Sequence, residues 1–97
     1  MSDTQHQEPI GEADRDALRD LADAGNEAAL DRLADLAQAR GDVDELHELL
    51  DEGCERAGRH LTGRAVAARD LRELQRLADD GVERAEDALR RLLRPSD

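Results

Sequence analysis

The chain has 97 residues, enough for one small domain and too few for two. It carries 25 acidic residues against 14 arginines, with no lysine and no Phe, Trp or Tyr, giving a formal charge of -11 and a pI near 4.6. That balance argues against nucleic-acid binding, which draws on basic charge and stacking aromatics, and no run approaches the roughly 18 apolar residues of a membrane span.

The elements are read in chain order. Residues 1–12 hold Pro9, Gly11 and little apolar material beyond Ile10, and are expected to be a flexible N-terminal tail. This stretch also lacks the basic start and apolar run of a signal peptide. With a single cysteine, Cys54, unable to form an internal disulfide, a cytoplasmic protein is expected. A first helix is predicted over about 14–24, with Leu18 and Leu21 on one face, before Gly25 stops it. Asn26 suits the N-cap of a second helix, over about 27–40. Asp42 and Glu45 form the pattern of a capping box ahead of a third, over about 43–52, which carries Leu46, Leu49 and Leu50. Gly53 turns the chain into a fourth, over about 54–68, with Ala57, Leu61 and Ala65 four residues apart. Asp70 and Glu73 repeat the capping pattern before a fifth, over about 71–80. After Gly81 a sixth runs over about 82–94, ended by Pro95, with 95–97 as a C-terminal tail.

The order repeats every 28 residues. Asp14, Leu18, Leu21, Asp23, Gly25, Glu27, Ala29 and Leu33 recur identically at 42–61 and again at 70–89. A period of this length signals stacked supersecondary units. The expected fold is therefore all-α: three tandem helical hairpins, with repeats at about 14–41, 42–69 and 70–94, stacked as a short α-solenoid within one domain over 13–94. Leu, Ile and Val total only 19 residues, and helices of about ten residues do not persist alone. Stability must come from Leu packed on Leu and Ala within and between hairpins.

The spacing Leu18-x-x-Leu21 followed by Ala29-x-x-x-Leu33-x-x-Leu36 resembles the tetratricopeptide repeat, shortened from about 34 residues to 28 and lacking that family's aromatics. The segments 21–26 and 36–42 are similar to short helical repeats of high-GC actinobacterial proteins. The resemblance covers residues 14–94 and implies a bacterial scaffold that holds peptides or partner helices.

Three groups of side chains are candidates for chemistry. Asp23, Asp51 and Asp79 recur in the last turn of each short helix. They either reach over the glycine turn to free N–H groups, pair with Arg19 or His47 four residues earlier, or form an acidic rail. Arg56, His60 and Arg64 share a face of the fourth helix, and Arg72 and Arg76 a face of the fifth. Together they make a basic patch in a chain whose first 48 residues carry a net -10. Arg64 stands where the neighbouring repeats have Leu36 and Leu92, so either it belongs to a site or Val66 takes over the packing on a rotated helix. His47 and His60 fall at similar heights of one hairpin, but Cys54 lies too far along the axis to join them around a metal. Neither a phosphate loop nor a nucleophile motif is present, and no enzyme, metal or cofactor is expected.

The expected function is binding of a protein partner, of identity not legible in the sequence, across the short first helices, through Arg15, Arg19, His47, Glu48, Gln75 and Arg76 together with the basic patch. The alternative is a self-assembling structural homo-oligomer, a homodimer in its simplest form, joined through Leu89, Leu92 and Leu93 of the last helix.

Overall fold

Each glycine turn closes in the same way. In a computed structural model, which describes residues 12–94, Gly25, Gly53 and Gly81 take φ of +99°, +96° and +95°, the left-handed region where a side chain is strained. The residue after each glycine donates its N–H back across the turn: Asn26 to Leu21, Cys54 to Leu49 and Val82 to Leu77, each at 3.0 Å. Three hairpins follow, built from α1 (Glu12–Asp23) and α2 (Glu27–Arg40), α3 (Val43–Asp51) and α4 (Glu55–Ala68), and α5 (Leu71–Asp79) and α6 (Glu83–Leu93). The expected helices are all present, within about two residues at each end. Helix α1 starts at Glu12, inside the expected tail; the tail residues 1–11 and 95–97 lie outside the described residues. Among the described residues no helix is long and apolar enough to cross a membrane.

Between hairpins, Asp42 and Asp70 accept the N–H of Glu45 and Glu73, each at 3.1 Å. The reciprocal half of the capping box is not made. The Asp42 and Asp70 N–H groups are already bonded to Ala37 and Ala65 carbonyls, at 2.9 and 2.8 Å. This frees the Glu45 and Glu73 carboxylates for other partners.

The six helices form two layers. Within a hairpin the pairs α1–α2, α3–α4 and α5–α6 pack. The long helices also pack on one another, α2 on α4 and α4 on α6, whereas the backbones of the short helices stand apart. The stack is elongated, 59 × 31 × 17 Å, with a radius of gyration of 16.0 Å, against about 12 Å for a compact domain of this length. Leu33, Leu46, Leu49, Leu61, Leu74 and Leu77 are fully buried along the seam, with Ala34, Ala37, Ala57 and Ala85 between them. Each such leucine stabilises the fold by about 1.5–3 kcal/mol.

The residue opening each long helix shows how hairpins join. Asn26 caps α2 through a 3.1 Å bond from the Ala29 N–H. Its repeat counterparts, Cys54 and Val82, make no cap bond. They plug into the preceding hairpin instead. Cys54 is buried with Sγ 3.7 Å from the Leu30 carbonyl, and Val82 packs against Gly58, where an added Cβ would lie 3.5 Å from its methyls. Burial pushes the Cys54 thiol up from its ordinary pKa.

The outward face of α6 is built differently from those of α2 and α4. Where Ala34 and Thr62 are buried under the next hairpin, Arg90 is exposed and sits 3.5 Å from Glu86, its partner four residues earlier. The pair makes the outward face of α6 polar among the described residues. Leu89 and Leu92 are half-buried against the core, and only Leu93 stands largely free, 62 % exposed.

Candidate binding grooves between the short helices

Because the short helices stand apart, a groove opens between each neighbouring pair, floored by the long-helix layer. The two grooves have the same backbone plan and differ in their side chains.

The first, between α1 and α3, is about 390 Å³ and is crossed by ion pairs. Arg15 Nη2 lies 2.5 Å from Glu45 Oε1, and Arg40 Nη2 lies 3.2 Å from the same oxygen and 2.8 Å from Asp42. Arg19 donates to Glu52, and this bond pushes its guanidinium further up. Glu48 lines this groove.

The second, between α3 and α5, is about 860 Å³. At the repeat positions of Arg15 and Arg40 it has Val43 and Ala68. The two long side chains that fill the first groove are thereby removed, and Leu61 and Ala65 form an apolar floor. Glu73, the counterpart of Glu45, has one ionic neighbour, His47, with Nε2 2.8 Å from Oε2. Glu73 Oε2 is nonetheless buried without a hydrogen bond. Arg64 and Arg76 stand on the rim; Arg64 donates to Gln38 at 3.2 Å, and neither has an ion partner among the described residues. No family model, curated protein or solved structure matches the chain.

The second groove thus unites His47, Arg64 and Arg76 from three helices. The remaining expected residues are dispersed. Arg15 and Arg19 serve as bridges in the first groove. Arg56 and His60 turn to the opposite layer, where both meet Asp35 of α2, at 3.5 and 2.9 Å, so these two join hairpins. Arg72 is exposed on α5, and Gln75 folds back to Asp79 at 3.0 Å. Gln75 stands at the position of Arg19 and His47, which reach forward to the next hairpin; among the described residues nothing lies ahead of it to meet a cation.

Of the aspartate ladder, Asp23 lies 3.9 Å from Arg19 and Asp79 accepts from Gln75, the four-residue pairing; none reaches over the turn. His47 and His60 do not meet, since one points to α5 and the other to α2. Among the described residues no group of His, Cys, Asp and Glu converges to hold a metal ion. The rotated-helix account of Arg64 is corrected: Val66 is 39 % exposed, and Ala57, Leu61 and Ala65 are buried as Ala29, Leu33 and Ala37 are. Arg64 is exposed because it rims a groove rather than a seam.

Val43 and Ala68 are groove residues that the repeat pattern did not single out, and Glu73 was read from it only as part of a cap. The signal was present as differences at the 28-residue offset, Arg15 against Val43 and Arg40 against Ala68.

Proposed function

We propose that the chain is a cytoplasmic protein-interaction module that binds a peptide segment or helix of a partner protein in the groove between α3 and α5. The observation that carries this reading is the internal contrast. On one repeated backbone, the first groove is filled by the chain's own arginines, while the second is twice as large, apolar at its floor and charged at its rim. Such an arrangement, apolar ground with a few placed polar groups, is the chemistry of recognition rather than of bond-making. The resemblance to shortened tetratricopeptide-like repeats supports the same class, with the binding surface on the short helices. Self-assembly through α6 is the weaker reading, because the Glu86–Arg90 pair occupies the face on which another hairpin would stack.

The test is selection of displayed peptides on the full chain. Enriched peptides should lose at least tenfold in affinity on Ala67→Arg, which adds bulk at an exposed groove position. Peptides that bind this variant as they bind the parent, or a selection that enriches none, would refute the reading.

A further inference from the structure

The first groove also indicates what the second is built to receive. In the first, two carboxylates of α3 and its cap, Asp42 and Glu45, are met by arginine side chains from α1 and α2. Their counterparts Asp70 and Glu73 are kept in the second, and Asp70 still caps α5. The arginines are not kept: Val43 and Ala68 stand in their places. The result is an acid whose Oε2 is buried without a hydrogen bond although His47 Nε2 lies 2.8 Å away, beside open space that a guanidinium occupies in the neighbouring repeat. A buried acceptor left without a hydrogen bond is unfavourable, and the nearby imidazole of His47 offsets this only in part.

We infer that the partner segment brings its own basic side chain, an arginine or lysine flanked by small apolar residues, and lays it between Val43 and Ala68 on the Glu73 carboxylate. The apolar flanks rest on Leu61 and Ala65. A segment with an acid at that point would instead face Asp70 and Glu73, and only on the rim would it meet Arg64 and Arg76. Residues 1–11 contain neither Arg nor Lys, so that stretch cannot supply the group. This inference rests on the groove being the binding surface, and its test separates the two.

The probe is an Ala/Leu helical peptide with one central Arg, compared with the same peptide carrying citrulline, which keeps the shape and loses the charge. Binding to the full chain is followed by amide chemical-shift changes. The Arg peptide should perturb residues around Val43, Leu61, Ala68 and Glu73, and should bind at least tenfold more tightly than the citrulline peptide at low salt. Glu73→Gln should erase that difference. Ala68→Arg, which restores the first groove's own side chain, should abolish binding and raise the melting temperature. Equal binding of both peptides in the groove overturns the cationic contact and leaves the groove reading standing. Failure of both to perturb groove residues overturns both. Self-association of the chain alone that Glu73→Gln abolishes would overturn a separate partner in favour of a second copy.

Discussion

Helix α4 contains two interior glycines in opposite surroundings, and substituting each with alanine separates backbone preference from packing. At Gly63 an added Cβ would meet nothing within 4 Å, and the residue is exposed. Gly63→Ala therefore gains the helix-propensity difference alone, about 0.8–1 kcal/mol. In a domain of this size that raises the melting temperature by roughly 4–8 °C. Far-UV circular dichroism is the natural assay, since the chain has no aromatic side chain to report on unfolding. At Gly58 the same Cβ would lie 3.3 Å from Leu50 Cδ1 and 3.5 Å from both methyls of Val82. The propensity gain is the same, but Leu50 must shift by a few tenths of an ångström within the seam that joins α3, α4 and α6. The expected order of melting temperatures is Gly63→Ala above Gly58→Ala. An unchanged or lower value for Gly63→Ala would refute the propensity argument. Gly58→Ala equalling or exceeding Gly63→Ala would refute the view that Gly58 is small because Val82 plugs against it.

Two further outcomes are expected. Arg69 ends α4 at φ +53°, the conformation that its counterpart Gly41 adopts at φ +72° after α2. Arg69→Gly relieves strain but enlarges unfolded-state freedom, for a net gain of about 0.5–1 kcal/mol; a urea midpoint at or below that of the parent would contradict this. The N–H that Glu45 donates to Asp42, aided by Arg40, holds the Asp42 carboxyl below the usual carboxylate range. Its contribution to stability is therefore fully present above the unfolded value of about 3.9 and fades as pH falls through the lower folded value. Asp42→Asn keeps the cap acceptor and loses the charge. The stability gap between parent and variant should be open at pH 7 and close below about pH 4, and a gap that does not vary with pH would count against the assignment.

The helix boundaries were legible because their signals are local: Asn26, Asp42 and Asp70 cap, and Gly25, Gly53 and Gly81 turn. Residues whose role depends on the next hairpin were read less well. Cys54 and Val82 occupy cap positions in the sequence, yet neighbouring hairpins recruit them for packing. Glu45 completes a capping box by pattern, yet Arg15, thirty residues away, claims its carboxylate. Arg56 and His60 share a face by helical spacing, and only the placement of Asp35 shows that this face is an inter-hairpin contact. The groove was least visible, because it arises from what Val43 and Ala68 lack.

The long helices succeed one another without a break, whereas the short ones are linked across their gaps by ion pairs alone. Such an array has a stiff spine and separable ribs. Wedging a guest between α3 and α5 disturbs one partly exposed His–Glu contact, at a cost of about 1 kcal/mol or less, and leaves the leucine seam intact. Between α3 and α5 the ribs are thus held to each other by charge, while Leu46, Leu49, Leu74 and Leu77 keep each rib seated on the spine.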